Sequence, residues 1–254
     1  MLRFYYVILI SIPLIIYYLL MCQHYYKHEE KYDEEDCYRL ARKLIYHLKK
    51  KARIKTVSYG YQNLPEDGGY IMYSNHQGKY DAVGIISAHD RPCSVIMDAQ
   101  KSKVILTNQF MDLIRGVRLD RRNFKQQLKA SKDITEGAIQ GKKYIYFPEG
   151  KYERNGNHLQ DFRPGSFKCA KMARCPIVPV AICDSYLPFD FNSLRKVVTQ
   201  VYFLPPIYYE EYKGKTTKEI SLLVKEQIEE KLLVLNRIRD EKGYNCSFKK
   251  IIRY

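Results

Sequence analysis

Residues 70–84 read YIMYSNHQGKYDAVG. The first four, Tyr70 to Tyr73, make a short apolar run suited to a strand buried on both faces. Asn75 and His76 follow it, and Gly78 and its neighbours make a turn. The segment YDAVGII then opens a helix with Asp81 in its first turn. A strand, a polar turn and a helix in this order predict an α/β domain whose chemistry sits where strands end.

The rest of the chain repeats the pattern. KTVSYGY, SVIMDA, VRLDR, YIYFPEG and PIVPVAI read as further strands, and 80–89, 101–115, 122–140 and 165–174 as helices between them. TQVYFLPPIYY is a late strand that Pro205 and Pro206 end or confine to an edge. The fold class predicted is a mixed, mostly parallel sheet covered by helices, with an N-terminal membrane helix. The expected organisation is an anchor over 1–24, an amphipathic helix over 25–52, a main domain over 53–215, and a C-terminal helix with a basic tail over 216–254.

Lys and Arg total 43 against 28 for Asp and Glu, a formal charge of +15 over 254 residues. Such a surplus suits a membrane surface, nucleic acid or a phosphorylated substrate. The seven cysteines are odd in number and never spaced C-x-x-C, which suggests neither a disulfide framework nor a zinc site and fits a reducing compartment. Cys169, Cys175 and Cys183 fall in apolar stretches and are expected to pack as small hydrophobes.

Residues 4–22, FYYVILISIPLIIYYLLMC, carry no charge over nineteen positions, enough as a helix to cross most of a hydrocarbon core. Large side chains continue beyond this segment, unlike the small residues that close a cleaved signal peptide. Arg3 precedes it, whereas Lys27, Lys31, Arg39 and Arg42 follow, so the positive-inside tendency places the main domain on the cytoplasmic side of the cell membrane. Pro13 and the tyrosines equally permit a helix lying in the interface.

Three clusters lie at predicted strand ends. In the first, Asp81 folded back onto one nitrogen of His76 fixes the tautomer and leaves the other nitrogen to take a proton. The pair alone equally suits a helix cap beside a satisfied histidine. No serine or cysteine is presented beside it, so the hydroxyl to be activated belongs to a substrate. The second cluster, FPEGKYERNG, offers Glu149 and Gly150 in a turn shaped by Pro148, with Lys151 and Arg154 for an anionic group. The third, RGVRLDRRN, sets Arg118, Arg121 and Arg122 at a strand's end, where a planar guanidinium suits phosphate.

With these blocks in order, the chain resembles the glycerolipid acyltransferase family, typified by bacterial 1-acylglycerol-3-phosphate acyltransferases. Asn75-His76 with Asp81 matches its Asn-His-x-x-x-x-Asp block, GVRLDR its second, FPEG its third, and CPIVPVAI its fourth, over about residues 53–205. Two departures stand out. Arg118 occupies an ordinarily apolar position, and Lys151-Tyr152 replace the Thr-Arg that usually follows the third-block glycine.

The resemblance implies that His76 is a general base oriented by Asp81, acting on an acceptor hydroxyl that attacks an acyl thioester. Asn75, Arg121, Glu149, Gly150, Lys151 and Arg154 are the expected substrate-binding residues, with Arg121 foremost for phosphate. The expected partners are membrane lipid, lysophosphatidic acid, and acyl-CoA or acyl carrier protein as donor substrate. No cofactor and no metal is implied, and no nucleic-acid motif is recognisable. Another acceptor, such as glycerol 3-phosphate or a different lysolipid, and a non-catalytic lipid-binding protein of the same fold are the alternatives.

Overall fold

The computed structural model describes residues 2–120 and 122–241. The apolar runs form β1 (Ile54–Tyr59), β2 (Tyr70–Ser74), β3 (Ser94–Asp98), β4 (Val117–Leu119), β5 (Lys143–Tyr146), β6 (Ile177–Cys183) and β7 (Val197–Phe203). They make one seven-stranded sheet in the order β1-β7-β6-β2-β5-β3-β4. Among the described strands only the β6 and β7 pair is antiparallel. β7 is therefore internal rather than at an edge, and it stops at Phe203, ahead of the two prolines.

The helices are α1 (Leu2–Ile10), α2 (Ile12–Lys27), α3 (Glu34–Ala52), α4 (Asp81–Ala88), α5 (Thr107–Leu113), α6 (Phe124–Ile139), α7 (Lys168–Ala173), α8 (Leu187–Asp190), α9 (Tyr209–Tyr212) and α10 (Thr217–Glu241). Side chains alternate across the sheet, so β2 feeds two cores at once. Tyr70 and Met72 pack with Leu40 and Leu44 of α3, Ile85 of α4 and Met111 of α5. Ile71 and Tyr73 pack instead with Ile134 of α6, Ala170 of α7 and Val224 of α10. All five residues of β2 and all seven of β6 are buried, which explains why both read as unbroken apolar runs.

α3 shows how strongly sequence dictates its limits. Asp33 caps it by accepting the Asp36 N–H at 2.8 Å, acidic residues fill its first turn and lysines its last, and Cys37, Leu40, Ala41, Leu44 and Ile45 form its buried stripe. The helix predicted over 101–115 is shorter. Lys101–Lys103 form a 3-10 turn and Leu106 has φ +72°, so α5 begins only at Thr107. Six described cysteines are buried and free. Burial pushes the Cys175 thiol up to about 12, which suits packing and not reactivity.

The N-terminal segment departs most from expectation. Instead of one helix over 4–22, α1 and α2 meet at Ser11 with a bend of 75°. Pro13 lies in the first turn of α2, where its missing N–H costs nothing, but its ring is incompatible with the carbonyl four residues back had the helix continued. Among the described residues no single helix is long and apolar enough to cross a membrane, though the bent pair passes that test together by length and composition. Arg3 is buried, with its guanidinium donating to Pro188 O and Arg195 O, so it ties α1 to the chain around α8.

Candidate active site

β2 and β5 are parallel neighbours with Tyr73 opposite Tyr146. His76 and Glu149 each lie three residues beyond that pair, so register alone brings them together. The His76 N–H donates to Glu149 Oε1 at 3.1 Å. β3 and β4 run the same way on the far side of β5, so the loops after β2, β5, β3 and β4 all leave from one edge of the sheet.

At that edge His76 Nδ1 stands 2.6 Å from Asp81 Oδ2. The same oxygen accepts the N–H groups of Gln77 at 2.6 Å and Gly78 at 2.8 Å. A carboxylate already holding two donors takes the Nδ1 proton as a third, which fixes the tautomer with its lone pair on Nε2. Nε2 makes no hydrogen bond to any described residue. The imidazole is 18% exposed and the Asp81 side chain 0%. The ring is sandwiched on one side by Phe147, 4.5 Å away and nearly parallel, and is met by Tyr152 at 4.9 Å and 77°. Asp81 Oδ1 is buried with no partner among the described residues, which carries a desolvation cost.

Glu149 is buried and bonded on both oxygens, with Oε2 accepting from Gln160 Nε2 at 2.6 Å. Burial pushes its carboxyl up to about 7, against the lowering effect of those hydrogen bonds. It therefore braces the His76 turn against the loop after β5. Gly150 has φ +80°, and its N–H returns to Phe147 O at 3.1 Å to close that turn.

Asn75, expected to bind substrate, faces the other way. Its Nδ2 donates to Ile182 O at 3.0 Å and its Oδ1 accepts from Ile182 N at 2.8 Å, a strap between β2 and β6 that uses both ends of the amide. Lys151 is exposed and paired with Glu153 at 2.7 Å, and Arg154 is exposed on the same loop. Arg118 is committed to Asp112 at 2.6 Å and to Asn108, which accounts for a charge at an ordinarily apolar position. Arg121 lies outside the described residues.

Two features escaped the sequence reading. Lys101, in the turn after β3, holds its ammonium 5.5 Å from the centre of the Tyr152 ring, so Tyr152 touches both Lys101 and His76 at this edge. Gln77 points into the protein. Its Nε2 donates to Asn157 Oδ1 and Ile182 O, and its Oε1 accepts the Ser185 N–H. Asn157 in turn donates to Asp184 Oδ1 at 3.0 Å, and Arg239 of α10 donates to the same oxygen at 2.5 Å. A cleft of about 470 Å³ beside α3, lined by Glu35, Arg39, Arg42 and Asp90, includes none of these residues.

The arrangement can remove a proton from a hydroxyl placed at Nε2, beside cations able to hold an anion. A family model described as Acyltransferase matches residues 55–183, just over half of the chain. The chain is 28% identical over 174 residues to 1-acyl-sn-glycerol-3-phosphate acyltransferase of Escherichia coli K12, covering 67% of this chain and 69% of that protein. It is 25% identical over 189 residues to the human alpha form, covering 73% of this chain and 65% of that protein. The crystal structure of the Thermotoga maritima 1-acyl-sn-glycerophosphate acyltransferase PlsC superposes with a TM-score of 0.76 at 19% identity, over 92% of this chain and 95% of that one. This last likeness is one of fold.

Proposed function

Because the chain belongs to the Acyltransferase family, we propose that it moves a fatty acyl chain from an acyl thioester to the 2-hydroxyl of 1-acylglycerol 3-phosphate, giving phosphatidic acid. The observation that carries the reading is the His76 and Asp81 pair, with Nδ1 held at 2.6 Å and Nε2 without a partner among the described residues. His76 Nε2 takes the acceptor's hydroxyl proton as its oxygen attacks the thioester carbonyl. The tetrahedral oxyanion collapses with cleavage of the carbon–sulfur bond, and the imidazolium returns its proton to the leaving thiolate. Asp81 stabilises that imidazolium throughout. The donor is acyl-CoA or acyl carrier protein, a substrate in either case. Arg121, Lys101 and Arg154 are the cations assigned to the acceptor's phosphate, and Glu149 and Gly150 hold the turn in place.

The reading includes membrane attachment at the cytoplasmic face of the cell membrane. It is supported by the outward faces of α1 and α2, which expose Tyr5, Leu9, Ile12, Ile16 and Leu20 while Val7, Ile15 and Tyr18 face the domain. Both lipid substrates partition there.

A second reading, acylation of an acceptor without a phosphomonoester, is favoured by one observation. Tyr152 meets the His76 ring at the position where an arginine is usual in the family. Assay of the purified full chain against lysophosphatidic acid, glycerol 3-phosphate and neutral or zwitterionic lysolipids, with both donors and identification of the product, decides between them. Preference for lysophosphatidic acid supports the first reading. Preference for an acceptor without the phosphomonoester replaces it with the second, and no acceptor-dependent thiol release leaves only lipid binding.

A further inference from the structure

The turn between β3 and α5 reverses the usual placement of polar and apolar side chains. Ser102 is completely buried and donates to Ala99 O at 2.8 Å. Val104 and Ile105 are 62% and 74% exposed, and Ile105 is the most exposed large apolar side chain among the described residues. The backbone beneath them is firmly tied. Asp98 Oδ1 accepts the N–H groups of Gln100 and Lys101 at 3.0 and 3.2 Å, and Leu106 N donates to Gln109 Oε1 at 3.0 Å. Leu106 holds a left-handed φ of +72°, rarely adopted by side-chain-bearing residues, so one shape is maintained against a local cost. This shape keeps two β-branched residues outermost.

The flanking chemistry identifies what covers them. Lys101 and Lys103 are exposed on either side of the turn. An apolar tip between two ammonium groups matches a bilayer interface, in which alkyl groups enter the acyl boundary while lysines remain at the depth of lipid phosphates. The helix that follows the tip also joins the N-terminal pair. α5, which this turn opens, packs against α2, whose Ile12, Ile16 and Leu20 face outward.

We propose that Val104 and Ile105 form a second membrane-inserting tip for an anionic bilayer, separate from α1 and α2, which fixes the height of Lys101 at the headgroups beside Tyr152 and His76. This rests on the membrane-attached reading above and adds the loop, its lipid preference and its link to the site.

The chain contains no tryptophan, so one introduced indole reports alone. With the full chain bound to phosphatidylcholine vesicles containing phosphatidylglycerol, Ile105→Trp should shift its emission to the blue and be quenched by nitroxides on shallow acyl carbons. Ile139→Trp, 65% exposed where α6 ends at the opposite edge of the sheet, should do neither. Ile105→Asp should weaken vesicle binding by about tenfold or more, from loss of apolar burial and added repulsion. Its turnover of short-chain donor and acceptor dissolved below their micelle concentrations should equal the native rate. A vesicle-bound chain whose Ile105→Trp emission stays unshifted overturns the tip and leaves membrane attachment standing. Failure to bind either anionic or neutral vesicles overturns both. Equal affinity for the two vesicle types overturns the anionic preference, and an Ile105→Asp loss that persists with dissolved substrates overturns the membrane role of the loop.

Discussion

Asp81 Oδ2 lies 2.6 Å from His76 Nδ1 and at the same time receives the N–H groups of the two residues that follow the histidine. One oxygen thus sets the imidazole's tautomer and folds the turn that presents it, so the four-residue spacing between the two side chains is a geometric requirement. The first prediction follows. His76→Ala should abolish acyl transfer in a chain that stays folded, since the ring is partly exposed and contributes little to the core. Asp81→Asn should keep the shape while losing the charge, lowering kcat on the order of 10²–10⁴-fold with little change in KM. Product formation by His76→Ala near the native rate, or an Asp81→Asn effect confined to KM, would remove the general-base assignment.

Gln77 leads to a second prediction. Its side chain spends both N–H groups and its oxygen on Asn157, Ile182 and Ser185, and Asn157 passes the connection to Asp184 and to Arg239 of α10. The backbone of Gln77 is meanwhile one of the donors on Asp81, so side chain and backbone are locked together. Gln77→Ala should lower kcat by roughly tenfold, with KM for both substrates kept within about twofold, as misplacement of a base by a fraction of an ångström does. Asn157→Asp sets two carboxylates against each other and should do similar damage. Combining it with Asp184→Asn restores one donor and one acceptor, and should recover part of the lost kcat. Equal and unrescued losses of thermal stability in all three variants would show a structural role only.

How much of this was legible in the sequence follows from the range of each interaction. β2, β5 and β6 read correctly because a strand buried on both faces is an unbroken apolar run, and His76 with Asp81 because both partners lie in one turn. The bend at Ser11 had a local sign in Pro13, yet absence of charge over 4–22 outweighed it. Lys101 over Tyr152 had none, because that contact depends on β3 lying next to β5. Gln77 and Asn157 stand 80 residues apart, and amide side chains in loops follow no period. The strap from Asn75 to Ile182 has no sign in the sequence either, because it spans 107 residues.

Glu149 supplies a pH-dependent prediction. Burial raises its carboxyl from an ordinary 4.5 to about 7, so the folded state favours the protonated form. The stability this gives is full below pH 4.5 and is lost progressively as pH rises to about 7, beyond which the buried charge costs about 3 kcal/mol relative to acid. Glu149→Gln keeps an acceptor for the His76 N–H and cannot ionise. Relative to the native chain it should therefore gain unfolding free energy between pH 5 and pH 8, by up to that amount. Denaturant titrations of both proteins at the two pH values measure the difference, which cancels the titration of other groups. Parallel pH profiles would mean that Glu149 is ionised throughout the range.

The last prediction concerns the place where Lys151-Tyr152 stand in the family's Thr-Arg position. Tyr152 has no charge for a phosphate, but its ring meets the His76 ring and also carries the Lys101 ammonium. The assigned cations are therefore Lys101 and Arg154, together with Arg121, whose guanidinium suits phosphate best. Lys151 is already paired with Glu153. A charge-assisted hydrogen bond contributes about 1.5–3 kcal/mol, so neutralising a cation that bonds the phosphate should raise the acceptor's KM by roughly 10- to 100-fold while leaving the donor's KM unchanged. Arg121→Ala should show the largest effect, Lys101→Ala and Arg154→Ala intermediate ones, and Lys151→Ala the least, because its charge is partly spent. Lys101→Arg should retain most of the affinity, since the guanidinium keeps the charge and stacks well on Tyr152. Tyr152→Arg should tighten a phosphorylated acceptor and discriminate against neutral lysolipids. If none of these substitutions alters the dependence on acceptor, or if a neutral lysolipid is the better substrate of the native chain, the phosphate assignment falls while the hydroxyl chemistry of His76 and Asp81 stands.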